Sequence, residues 1–174
     1  AYSDASVTPV AGAYGGSLGY AQRTGVNGFA GGWIGVGIDE YGNFSNPTEG
    51  RLDCTSGTCT NSGFLPENVT IRGSGSGTSG YRFLRGSGTL TPGVDNPLAT
   101  TPAPGYRYKI TFDHSNNANA WTTVERDTGS GYQVLIPRFD AKSDASQAAV
   151  PAEWLLSFTG STGGATNVHE IDNL

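Results

Sequence analysis

The segment of this sequence with the most chemical potential is Gly37-Ile-Asp-Glu-Tyr-Gly-Asn-Phe-Ser-Asn-Pro-Thr-Glu49. Asp39 and Asn43 stand two residues either side of Tyr41, at the end of an apolar run and in the turn after it. Two side-chain oxygens and the Tyr41 carbonyl could converge on one cation, and Glu49 could return from the far side of the loop. Calcium takes about six to eight oxygen ligands, with water completing the shell. No soft ligand is nearby, which favours a hard cation over zinc or copper. Asp, Asn and Gly are also ordinary turn residues, so the same pattern fits a solvated turn in which Asp39 caps backbone amides. Asp39 and Glu40 are sequence neighbours and point to opposite faces of a strand. They are therefore a poor carboxylate pair for a retaining glycosidase, which needs its two carboxyls about 5–5.5 Å apart.

The elements that must position this loop read as strands. Gly32-Trp-Ile-Gly-Val-Gly-Ile38 is a glycine-bounded apolar run, as in a buried central strand. Residues 68–72 alternate, and residues 81–84 form a further short candidate. In Tyr106-Arg-Tyr-Lys-Ile-Thr-Phe112 the period is two, with Tyr106, Tyr108, Ile110 and Phe112 on an inward face. Residues 121–126 and 132–136 flank Asp127-Thr-Gly-Ser-Gly131 and read as an antiparallel hairpin. Residues 154–159 and 169–174 supply the closing strands. The one helix-tolerant stretch is 143–149, and residues 73–80 and 86–105 read as a flexible turn and a long surface loop. Twenty-seven glycines, no methionine and few charges agree with many short strands joined by turns. The expectation is one all-β domain over residues 1–174, built as two stacked antiparallel sheets.

Charge and cysteine content narrow the function. A net charge of −5 with scattered Lys and Arg argues against a nucleic-acid surface. No apolar run reaches membrane-spanning length. Cys54-Thr-Ser-Gly-Thr-Cys59 can close a tight disulfide loop, free thiols being the alternative; zinc would need further Cys or His nearby. A disulfide implies an oxidising setting, the periplasm, the cell surface or the medium, and the expectation is an extracellular or cell-surface protein. The sequence does not begin with Met and reads as a piece of a longer protein. His114 reads as a solvated turn residue and His169 as a structural one. Trp33, Trp121 and Trp154 read as core rings, and Glu125 and Arg126 as surface charges.

Gly15-Gly-Ser-Leu-Gly-Tyr20, the strand that follows, and Asp39-x-Tyr41-x-Asn43 together resemble the legume-type (L-type) lectin family. Ser157-Phe-Thr-Gly-Ser-Thr-Gly163 and Asn167-Val-His-Glu-Ile171 are similar to that family's closing strands and sugar-site loop. The form is similar to lectin-like modules of bacterial surface proteins and pilus-associated adhesins. The resemblance implies a concanavalin-like jelly roll, with or without its N-terminal strands. It implies calcium held by Asp39, Asn43 and the Tyr41 carbonyl, with Glu49 near the second acidic ligand. It also implies a glycan or monosaccharide bound by Asn43, the Gly16 N–H, the Tyr41 ring, and Ser161, Thr162 and Gly163. Other segments of a larger adhesin or pilus are implied partners.

Two departures go with it. Gly37 stands where the family places a transition-metal Glu. The family's sugar-binding Asp lies on a strand upstream of Ala1, so the first strands would leave an open sheet edge. A non-enzymatic lectin module is the leading expectation. The alternative is a structural or protein-binding adhesin module that keeps the fold and calcium, and a glycoside hydrolase ranks third because Gly37 fills the place of its nucleophile.

Overall fold

The structure is a computed structural model that describes residues 1–55, 59–96 and 105–164. Among the described residues there are ten strands: β1 Tyr2–Asp4, β2 Gly32–Asp39, β3 Asn68–Arg72, β4 Gly75–Ser76, β5 Ser79–Gly80, β6 Phe83–Gly86, β7 Arg107–Asp113, β8 Trp121–Asp127, β9 Tyr132–Asp140 and β10 Trp154–Leu156. They form a five-stranded sheet in the order β10-β1-β2-β3-β6, a three-stranded sheet β7-β8-β9, and the small hairpin β4-β5. All pairings are antiparallel. The chain is thus an all-β sandwich. Among the described residues no helix is long and apolar enough to cross a membrane. The open edge expected beside the first strand is absent, because β1 has β2 on one side and β10 on the other.

The register of β2 on β3 sorts their side chains onto two faces. Val36 pairs with Ile71 and Ile38 with Val69. On that side Ile34, Val69, Ile71 and Leu84 meet Ala120, Val124 and Ile136 of the second sheet and form the core. Burying each Val, Leu or Ile side chain contributes roughly 1.5–3 kcal/mol. Trp33 belongs to this core, edge-on to Trp154 and Phe112. The opposite face carries Gly35, Gly37 and Asp39 beside Arg72, Thr70 and Asn68. Loops roof it with a second buried cluster: Tyr20, Phe29, Phe44 and Tyr81.

Strand alternation in the second sheet follows the expected period. Tyr108 and Phe112 pack on the core, while Ile110 stays 38% exposed because β7 is an edge strand. Glu125 pairs across the strands with Lys109 at 2.9 Å. Arg126 is not a surface charge: it shares the inward side with Val124, is buried, and donates to the Pro92 and Gly93 carbonyls. Trp121 is not a core ring either; it is half-buried with the Arg138 guanidinium 4.2 Å above it.

Local departures have local causes. Tyr81, expected to open a strand, adopts φ 49° and buries its ring, so β6 begins at Phe83. Residues 75–80 fold as a hairpin, and the last 3-10 turn stops at Ser143, leaving 144–149 without a helix. Cys54 and Cys59 form a disulfide with a Cα separation of 5.9 Å. The closing strand expected at 169–174, with His169 and the 167–171 motif, lies outside the described residues.

Candidate functional site

β2 ends at Asp39, whose buried carboxylate accepts the Phe44 N–H at 2.6 Å through Oδ2. That bond closes the turn 39–44 and delivers the Phe44 ring onto the glycines of β2. A Cβ at Gly37 would lie 2.5 Å from Phe44 Cε1, and one at Gly35 would lie 2.5 Å from Tyr20 Cδ1. Glycine is required at both positions so that the rings can lie against the strand. Where the resembled family places a Glu, the Phe44 ring leaves no room for a carboxylate.

A second segment, residues 59–67, lies alongside the turn as a strap. The Gly63 N–H donates to the Ser45 carbonyl (3.1 Å), Leu65 N–H to the Gly42 carbonyl (3.2 Å) and Glu67 N–H to the Glu40 carbonyl (2.9 Å). Gly42 has φ 98° and would bring a Cβ to 2.5 Å from the Leu65 carbonyl oxygen, so both conformation and space select glycine there. At the strap's root the Ser62 hydroxyl donates to Asp53 Oδ1 at 2.6 Å, next to the disulfide.

Two buried arginines pin the loop from below. Arg72 donates to the carbonyls of Phe44 (2.7 Å), Leu52 (2.7 Å) and Tyr81 (2.9 Å). Burial pulls its pKa down to about 9, helped by the nearby Arg51 charge, which still leaves it protonated at neutral pH. Arg51 donates to the Asn46 carbonyl (3.1 Å), Ser17 Oγ (3.2 Å), Thr48 Oγ1 (3.3 Å) and Glu49 Oε2 (3.1 Å). Its own pKa is lowered by burial, against the support of Glu49. Full hydrogen bonding is what allows such charges to stay buried.

The residues singled out in the sequence fall into three groups here. Asn43, Gly16 and Ser161 are brought together from three distant stretches of chain. Gly16 lies against the Asn43 side chain, so a Cβ there would approach Asn43 Cγ to 3.2 Å, and Gly15 N–H donates to Ser161 Oγ at 2.6 Å. Thr159 Oγ1 fastens the same two segments by donating to the Leu18 carbonyl at 2.8 Å. Thr162 and Gly163 follow on the exposed side. Asp39 and Tyr41 flank this group within the turn, with the Tyr41 ring in solvent. Glu49 is engaged elsewhere, by Arg51 and, at 3.8 Å, by Arg23.

The oxygens that this turn could offer a cation are hard: the second oxygen of the Asp39 carboxylate, the Tyr41 carbonyl and Asn43 Oδ1, which accepts a long 3.5 Å contact from Asn46. This set fits calcium in kind. With Glu49 bound to arginine it offers one carboxylate, and fewer charges mean weaker calcium binding. Among the described residues the acidic, His and Cys groups make one close trio, Asp53, Cys54 and Cys59, whose sulfurs are both in the disulfide. An open depression of about 740 Å³ lies elsewhere, between Tyr2, Phe112, His114, Asn117 and Trp154. Its lining carries no carboxylate pair.

Phe64, Arg51, Arg72, Ser45 and Asn46 were not singled out in the sequence. Arg72 closes an alternating strand on its polar side, which reads as a wet face until the roof of loops is known. Set against protein-family models, curated proteins and solved structures, the chain matches none of them.

Proposed function

We propose that this protein is a calcium-dependent carbohydrate-binding module of a bacterial cell-surface or pilus adhesin, working outside the cell and without catalysis. The observation that carries the reading is the meeting of Gly16, Asn43 and Ser161 on one surface. These are the three segments whose sequence resembles the sugar site of legume-type lectins. In this reading Asp39, the Tyr41 carbonyl and Asn43 hold calcium. Asn43 then presents its amide N–H to a sugar hydroxyl while its oxygen faces the metal. Gly16 adds a backbone donor, the Tyr41 ring covers the apolar face of the sugar, and Ser161, Thr162 and Gly163 border the site. Such shallow sites bind weakly alone, and display in many copies on a surface supplies avidity. The disulfide supports an oxidising, extracellular setting.

Calcium calorimetry and thermal melting in calcium or chelator test the proposal, on wild type and Asp39→Asn. Asparagine can still accept the Phe44 N–H but loses the charge. Saturable calcium binding that is lost in the variant, with chelator-sensitive binding on a glycan array, is the expected result. Absence of both calcium and glycan binding sinks it.

One set of contacts favours a second reading. The Asp39–Phe44 bond and the hold of Arg51 on Glu49 fix the loop without any cation. A metal-free structural or protein-binding module of a larger adhesin is the outcome if calcium does not bind.

A further inference from the structure

We infer that Phe64 determines sugar specificity: with Tyr41 it forms a two-ring platform for the apolar face of a pyranose, held beside Asn43 by the 59–67 strap. This rests on the carbohydrate-binding reading above. It adds a residue from a different loop and a chemical preference to that site.

The two rings contrast with the four aromatics buried beneath the loops, and with Tyr14 (62%) and Phe158 (51%) they are among the exposed aromatic rings of the molecule. Tyr20, Phe29, Phe44 and Tyr81 on the same half of the molecule are 0–3% exposed, whereas Tyr41 is 61% and Phe64 52% exposed. They nevertheless touch, edge to face, with centroids 5.6 Å apart and planes at 72°. Two adjoining rings left in solvent forgo the burial that Tyr20, Phe29, Phe44 and Tyr81 achieve. Their backbone is not a loose loop tip. The bonds Gly63 N–H to Ser45 and Leu65 N–H to Gly42 bracket Phe64 on both sides, which sets its backbone opposite Asn43 and Phe44. Ser45 Oγ adds a bond to the Gly63 carbonyl at 2.7 Å, and the Asn68 amide donates to the Leu65 carbonyl from the sheet below. A platform fixed in advance loses little conformational freedom on binding.

The chemistry beside the platform is that of a polyol site. Asn43 offers an amide, Ser161 a hydroxyl and the Gly15-Gly16 turn its backbone. An apolar corner made by two rings beside neutral hydrogen-bonding groups matches a pyranose, which has contiguous C–H groups on one face and hydroxyls around its rim. The platform takes the pyranose face that carries no axial hydroxyl, where the C–H groups are contiguous.

The experiment uses the protein with calcium, a printed glycan array, and calorimetry with methyl glycosides of glucose, galactose and mannose. Wild type, Phe64→Ala, Phe64→Trp and Tyr41→Ala are compared, with melting temperature and calcium affinity recorded for each. The expected result is a loss of about 3- to 10-fold in glycoside affinity for Phe64→Ala, the scale of one aromatic contact. Calcium affinity and melting temperature stay at the wild-type values, and Phe64→Trp retains binding with a changed order among the three sugars. If wild type binds glycans and Phe64→Ala binds them equally well, the platform is refuted while the lectin reading stands. If Phe64→Ala loses calcium and melts early, Phe64 is a structural residue and the inference falls. If wild type binds no glycan, both fall together.

Discussion

Replacing Gly37 by alanine tests whether the candidate loop is held by a ring lying on a glycine. The added Cβ would stand 2.5 Å from Phe44 Cε1 and 3.0 Å from Cγ, well inside ordinary contact. Phe44 is 1% exposed, with the Arg72 guanidinium 5.4 Å from its centre and the Tyr20 ring 6.5 Å away, so it has little room to retreat. Overpacking of this kind costs about 1–3 kcal/mol. Phe44→Ala alone leaves a cavity and costs about 3–5 kcal/mol. In the Phe44→Ala background the clash is gone, and alanine is favoured over glycine in a strand by roughly 0.5–1 kcal/mol. The second substitution then becomes neutral or slightly stabilising, so the cycle yields a coupling of at least about 1 kcal/mol. Urea unfolding of the four proteins measures it, with midpoints compared at equal slopes. Amide exchange at Phe44 gives a local readout, because its N–H is the donor to Asp39. Equal costs for Gly37→Ala in both backgrounds refute the reasoning, since the glycine would then be needed for something other than the ring.

Arg72→Met removes the donor to three buried carbonyls and is expected to cost at least about 3 kcal/mol in urea unfolding. Arg72→Lys recovers only part of this, because a single ammonium cannot reproduce the planar fork. Asp140 gives a pH dependence. Burial pushes its pKa up, but the Ala120 N–H, the Asn119 amide and the Lys142 N–H outweigh that and leave it below the ordinary 3.8. A depressed carboxylate stabilises the fold fully above its unfolded pKa and loses that contribution as pH falls from 3.8 through the lower folded value. Melting curves should therefore show Asp140→Asn less stable than wild type at pH 7, with the gap closing as pH drops below about 4. A gap that persists at pH 2 would show that shape, not charge, makes the difference.

What the sequence displays is what depends on near neighbours. The alternation of β7 is a local period, and it placed Tyr108 and Phe112 on the inward face correctly. The glycines of β2 were legible as marks of a buried strand, but not as a track for aromatic rings, because the rings over Gly35 and Gly37 come from loops on either side of the strand. Arg126 misled, and Arg72 drew no notice, for one reason. On strands with alternating polarity a charge reads as facing water, and here carbonyls from distant loops replace that water. Three segments of the candidate site were recognisable by their order along the chain. Phe64 was not, since one Phe among turn residues has no periodic or spacing signature and gains meaning only from the strap's pairing with residues 42–45.

The way the loop is built bears on what a cation would do there. In a site that is disordered without metal, binding energy is spent on folding, and the apo protein loses structure. Here the Asp39–Phe44 bond, the ring on Gly37, the strap and the two arginines tie the turn to the protein's own groups. The proposed calcium would therefore add stability by mass action, about 2.7 kcal/mol at a hundredfold excess over Kd. Its specific contribution would be to fix which way Asn43 and the Tyr41 carbonyl face. A donor set with a single carboxylate would give modest calcium affinity. The fold would then persist in chelator while sugar binding is lost, which separates a lectin from a structural module that merely uses calcium as a staple.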